Sequence, residues 1–133
     1  MTLPLDRRPR VVIVDDDPHV LVALGRLLQA SCDVVASLTS GHEAIQIVCK
    51  ARPDVLVVDL MMPDVDGLEV CRTVKQVLPE TNVIMITACD ETYFQMKALQ
   101  QGASAFISKL DADRTLEAAI RRLFAKAQGA TSV

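Results

Sequence analysis

Five short runs rich in Val and Ile recur along the chain, at Arg10–Val14, Cys32–Ser37, Asp54–Val58, Asn82–Ile86 and Ala103–Ser108. They are mostly continuous rather than alternating, the pattern of strands covered on both faces in a parallel sheet. The intervening segments carry helical spacing. Leu21, Leu24 and Leu28 form an i, i+3, i+7 stripe behind Pro18, a favourable first helical residue. Ala44, Ile45 and Val48 share a face of a helix over Gly41–Ala51 that stops before Pro53. Leu68, Cys71, Val74 and Leu78 mark a third helix, ending at Pro79. Tyr93, Met96 and Leu99 mark a fourth, with Gly102 as its C-terminal cap. Leu116, Ala119, Ile120 and Leu123 mark a fifth, whose Arg121, Arg122 and Lys126 suit the negative end of the helix dipole. Strand and helix alternate five times, which predicts right-handed crossovers and a doubly wound α/β fold.

Composition narrows the class. The 133 residues fit one domain, expected over 10–127 between tails at 1–9 and 128–133. With three Phe, one Tyr and no Trp, the core must be aliphatic. A net charge of −3 argues against a nucleic-acid surface on this chain. Cys32, Cys49, Cys71 and Cys89 form no CxxC pair and have no ligand-spaced His, so zinc is not expected. Each sits in an apolar stretch and reads as a small core residue in a reducing cytoplasm. Residues 1–9 lack the apolar region of a signal peptide, and no apolar run approaches the ~20 residues of a membrane span. The expectation is a soluble, cytoplasmic protein.

The candidate chemistry stands at the strand ends, because open α/β sheets bind ligands beyond the carboxyl ends of their strands. The first strand ends in Asp15, Asp16 and Asp17, the third in Asp59, the fourth in Thr87 and the fifth in Lys109. Each has an ordinary explanation on its own. Asp17 before Pro18 can equally cap a helix, and a lone Asp, Thr or Lys after a strand is common loop chemistry. If the first and third strands are neighbours, however, Asp15, Asp16 and Asp59 meet on one rim. Carboxylates at contact distance repel unless a cation neutralises them, and an open set of oxygen ligands suits Mg²⁺ (or Mn²⁺) better than a caged Ca²⁺. With Lys109 as a second positive charge, the assembly can hold a dianionic phosphoryl group.

Val11-Val12-Ile13-Val14-Asp15-Asp16-Asp17-Pro18 resembles the opening of response-regulator receiver domains, and Pro53 to Gly67, with its Met62-Pro63-Asp64-Val65-Asp66-Gly67 turn after Asp59, resembles their phosphorylation segment. Val83–Ala88 and Gly102–Lys109 are similar to the family's fourth and fifth strand signatures. The resemblance covers Arg10 to Ala127 with every motif in order. It implies the flavodoxin-like five-stranded sheet in order 2-1-3-4-5. It also implies Asp59 as the phosphoacceptor, Asp15, Asp16, Asp59 and the backbone carbonyl of Met61 as Mg²⁺ ligands, and Lys109 and Thr87 as partners of the phosphoryl oxygens. The resemblance further implies that small Ala88 leaves the phosphoryl group room and that Phe106 takes the aromatic switch position. The donor implied is a sensor histidine kinase or a phosphotransfer protein. The protein so implied is a signalling switch that catalyses only its own phosphorylation and dephosphorylation. Its readout surface is the fourth helix, fifth strand and fifth helix, roughly residues 90–122, which could pair two copies and control an output such as transcription.

Some positions depart from the family. Leu110 follows Lys109 where many receivers have Pro and a cis peptide, so a trans bond and an altered loop are expected. The Lys-without-Pro ending resembles receivers that precede LuxR-type helix-turn-helix domains, leaving a stand-alone receiver and a piece of a transcription factor both open. Met61 and Cys89, two residues after Asp59 and Thr87, are poorly suited to orient a hydrolytic water, which predicts a long-lived phosphoryl group. Two rivals remain. An Asp-nucleophile phosphatase similar to haloacid-dehalogenase enzymes would want a general acid where Met61 stands, and a degenerate docking module would not need five intact site residues.

Overall fold

The computed structural model describes residues 7–88 and 91–129, and its elements follow the alternation in the sequence. They are β1 (Arg10–Val14), α1 (Pro18–Leu28), β2 (Asp33–Leu38), α2 (Gly41–Ala51), β3 (Val55–Asp59), α3 (Gly67–Val77), β4 (Asn82–Thr87), α4 (Thr92–Gln100), β5 (Ala105–Ser108) and α5 (Ala112–Gly129). All strands are parallel, in the order β2-β1-β3-β4-β5. β1 and β3 are therefore neighbours, and the first and third strand ends stand side by side.

Strand alternation splits the aliphatic core into two layers. Val12, Val14, Leu56, Val58, Val83 and Met85 face α2, α3 and α4. Val11, Ile13, Val55, Val57, Ile84, Ile86 and Ile107 face α1 and α5. Every residue of β3 is buried, as a central strand covered on both faces requires, whereas β2 and β5 at the edges are half-buried.

Polar caps set the helix starts. Asp17 accepts from His19 N–H and caps α1, so the ordinary reading of that residue holds. Ser40 caps α2 and Asp66 caps α3 in the same manner. Gly102 turns the chain after α4 with φ +102° and donates its N–H to Leu99 O. Cys32 and Cys71 are buried free thiols and Cys49 is half-buried; burial pushes the Cys71 thiol up to about 11, which leaves it unreactive.

β3 and β4 end at Asp59 and Thr87, the strand-end residues expected, each one residue past its apolar run. Two expectations need correction. The α4 stripe Tyr93, Met96 and Leu99 is 61%, 56% and 51% exposed; the buried residue is Ala98, one turn after the half-buried Phe94. Apolar residues occupy two faces of this helix, and the sheet takes the one bearing Phe94 and Ala98. Finally, the N-terminal residues expected as tail are packed from Arg7 onward. Arg7 forms a two-pronged pair with Asp54 at 2.9 and 3.0 Å, Arg8 donates to Cys32 O at 2.7 Å, and Pro9 is buried. α5 likewise runs to Gly129, past the expected limit at 127.

Candidate functional site

Asp15, Asp16, Asp59 and Lys109 converge at the carboxyl end of the sheet. β1 delivers Asp15, which is fully buried; its N–H donates to Leu38 O of β2, and its Oδ1 accepts the N–H of Asp17 at 2.9 Å. β3 delivers Asp59, 3% exposed, whose Oδ1 accepts the N–H of Met61 at 3.3 Å. β5 delivers Lys109, whose N–H donates to Thr87 O at 2.7 Å, carrying the β4–β5 pairing one residue past the strand. The Lys109 ammonium lies 2.9 Å from Asp15 Oδ2 and 3.6 Å from Asp59 Oδ2. Asp16 is exposed, and one carboxylate oxygen from each of Asp15, Asp16 and Asp59 lies within 4.8 Å of the others.

The electrostatics follow from that crowding. Burial, and then the charge of Asp15, pushes the Asp59 carboxyl up from 3.8 to about 6, despite Lys109 and the Met61 N–H pulling it down. Lys109 is pulled down by burial, but contact with Asp15 and the charges of Asp59 and Asp15 more than offset this, so it stays above its ordinary value. One ammonium does not satisfy two buried carboxylates. Asp15 Oδ2 has Lys109 at ion-pair distance but no hydrogen bond of good geometry. A buried carboxylate oxygen left in this state is costly, and a hard cation beside three oxygen ligands relieves it. The donor set fits a divalent metal of the Mg²⁺ class.

The other predicted residues take distinct positions. Thr87 is fully buried at the end of β4 and pairs in register with Ser108; Ala88, next to it, is exposed. Met61 exposes its side chain to 60% and touches the site through its backbone N–H. Phe106 is half-buried against the α2–α4 side of the core, opposite Met85 in register and two pairs below Thr87, on the same face. Leu110 is 87% exposed, and every described peptide bond is trans, including the one before it. Cys89 and Asp90 lie outside the described residues.

Two supports of the site carried no assignment in the sequence reading. A Cβ on Gly67 would stand 2.2 Å from Asp59 O and 2.9 Å from Leu60 Cα, so only glycine lets α3 begin directly behind the phosphoacceptor candidate. Asp64 accepts from the Ser40 hydroxyl at 2.8 Å and from His42 N–H at 3.3 Å, tying the β3–α3 loop to the start of α2. Those bonds, with further backbone donors, hold the Asp64 carboxyl down at about 2. The Asp-x-Asp-Gly spacing was the available signal: one carboxylate that bonds to the start of α2, one that caps α3, and a glycine that permits contact.

A doubly wound α/β domain with three converging carboxylates and a lysine at its switch point has the anatomy of a phosphoryl-accepting signalling module. The family model for the response regulator receiver domain matches residues 11–121. This chain belongs to the response regulator receiver family of two-component systems. It is 38% identical over 114 residues to the response regulator MprA of Mycobacterium leprae, covering 86% of this chain and 50% of that protein. It is 29% identical over 120 residues to the transcriptional regulatory protein AfsQ1 of Streptomyces coelicolor, covering 90% of this chain and 53% of that one. The crystal structure of a LuxR-family response regulator from Aurantimonas sp. superposes with a TM-score of 0.84 at 29% identity, covering 90% of this chain and 86% of that one. The chain thus spans about half the length of the curated relatives it matches. Among the described residues, no helix is long and apolar enough to cross a membrane.

Proposed function

We propose that Asp59 accepts a phosphoryl group from a phosphohistidine on a sensor kinase or phosphotransfer protein. An Asp59 carboxylate oxygen attacks phosphorus, the nitrogen–phosphorus bond breaks, and the imidazole leaves, giving an acyl phosphate. The observation that carries this reading is the meeting of Asp15, Asp16 and Asp59 oxygens within 4.8 Å beside the Lys109 ammonium. Asp15, Asp16, Asp59 and the Met61 carbonyl would hold Mg²⁺ or Mn²⁺, which when bound supplies charge neutralisation at the phosphoryl oxygens. Lys109 then exchanges its contact with Asp59 for one with a phosphoryl oxygen, and the Thr87 hydroxyl hydrogen-bonds another. The exposed Ala88 leaves the approach open.

Phe106 and Thr87, on one face of β5 and β4, couple the site to the surface of α4, β5 and α5. Tyr93, Met96 and Leu99, exposed on α4, belong to that surface, through which two copies pair and the output, transcription, is controlled. The chain works in the cytoplasm and itself contacts no nucleic acid. Catalysis is confined to its own phosphorylation and dephosphorylation.

Beryllofluoride with Mg²⁺ tests the reading. Binding to wild type with amide shifts around Thr87 and Phe106, and none to Asp59→Asn, is expected; equal responses from both would refute it. With Met61 turned to solvent, no side chain at that position orients a hydrolytic water. Labelled phosphoprotein should therefore decay over minutes or longer in Mg²⁺, and decay within seconds would contradict this.

A further inference from the structure

Lys109 stands on a turn whose conformation is held by few bonds. Ser108, the last residue of β5, pairs in register with Thr87, and Lys109 N–H donates to Thr87 O at 2.7 Å. On the far side, Ser108 O accepts Asp111 N–H at 3.0 Å. Asp111 O accepts Arg114 and Thr115 N–H at 3.0 Å each and the Thr115 hydroxyl at 2.9 Å, so the start of α5 hangs from the same turn. Between these anchors lies the Lys109–Leu110 peptide. The Leu110 side chain, 87% exposed, gives it no packing. Its hydrogen bond is Leu110 N–H to Ser108 Oγ, at 3.2 Å.

We infer that Ser108 is a positioning residue for the Lys109 ammonium. By accepting the Leu110 N–H, its hydroxyl fixes the Lys109–Leu110 peptide, whose N–H, among the described residues, has no backbone partner. The bond needs Leu110 as much as Ser108, because a proline at 110 would offer no N–H. The consequence falls on Lys109, which must span four side-chain torsions to set its Nζ 2.9 Å from Asp15 and 3.6 Å from Asp59. A lysine on a swinging peptide reaches the same atoms for a smaller fraction of the time. Small losses of alignment are expensive when a reaction depends on positioned charge. The inference rests on the reading of Lys109 as the partner of the transferred phosphoryl group.

The test is a double-mutant cycle on the whole chain, read as the rate of phosphorylation by acetyl phosphate with Mg²⁺. Ser108→Ala should slow phosphorylation by about threefold to tenfold, with Ser108→Thr, which keeps the hydroxyl, within about twofold of wild type. In the Lys109→Ala background, Ser108→Ala should have no further effect. A wild-type rate for Ser108→Ala, or the same fold-loss with Lys109 absent, would overturn the inference, the second result marking a general structural role. If Lys109→Ala itself phosphorylated as wild type, the reading of Lys109 would fail instead. Beryllofluoride affinity gives the same cycle where Lys109→Ala reacts too slowly to time.

Discussion

Asp59 is buried beside another carboxylate, so its negative charge opposes folding in the metal-free protein. Its folded pKa of about 6 lies above the ordinary 3.8, meaning that the folded state binds the proton more tightly. Stability is therefore lost as pH rises from about 3.8 through 6, and the penalty is complete above that window. Asp59→Asn removes the charge. It should stabilise the metal-free protein near pH 7.5 by on the order of 2 kcal/mol, with the gain fading below pH 5. Urea unfolding in EDTA at both pH values checks this, and a wild type as stable as the variant at neutral pH would contradict it. Added Mg²⁺ should narrow the gap by stabilising only the wild type. At this scale much was legible in the sequence, because Asp15, Asp16, Asp59 and Lys109 each stand at a strand end and the sheet order brings them together. Asp64 was not, since its role depends on the start of α2 lying beside the β3–α3 loop, a contact across 24 residues of sequence.

The element most tightly built into the site is the start of α3. Gly67 N–H donates to Leu60 O at 3.1 Å, and Leu60 N–H to Ile86 O at 3.0 Å, so helix, loop and two strands share one short path of hydrogen bonds. Gly67→Ala would force its Cβ against Asp59 O, a backbone atom that can yield only by moving Asp59. The variant should lose about 1–3 kcal/mol of stability and phosphorylate more slowly than wild type. Equilibrium unfolding together with acetyl phosphate labelling measures both effects, and an unchanged labelling rate would show that the loop absorbs the clash without moving Asp59. Element type was readable from periodicity throughout, while the buried face of α4 was not. Tyr93, Met96 and Leu99 satisfy helical spacing as well as Phe94 and Ala98 do, and only the position of the sheet decides between the two faces.

Across the whole molecule, the end of the sheet opposite the acids is closed by residues from the chain's beginning. Burial raises Asp54, but hydrogen bonds from the Arg7 guanidinium and the Arg10 N–H, with both positive charges, hold it below its ordinary value. A depressed carboxyl stabilises the fold above its ordinary pKa, and that contribution is lost as pH falls through the folded value. Arg7→Ala should therefore cost a few tenths to about 1 kcal/mol at neutral pH, discounted because Arg7 is half-exposed, and progressively less in acid. Thermal unfolding at pH 7 and pH 3 measures it, and a loss undiminished at pH 3 would place the effect outside this ion pair.

The most direct measurement is peptide-level mass spectrometry after incubation with acetyl phosphate and Mg²⁺, with the acyl phosphate trapped by borohydride reduction. The modification should fall on Asp59 alone, require the divalent ion, and be absent from Asp59→Asn. Phosphoryl incorporation at another residue, or none in a folded protein that binds Mg²⁺, would contradict the assignment of Asp59 as the phosphoacceptor.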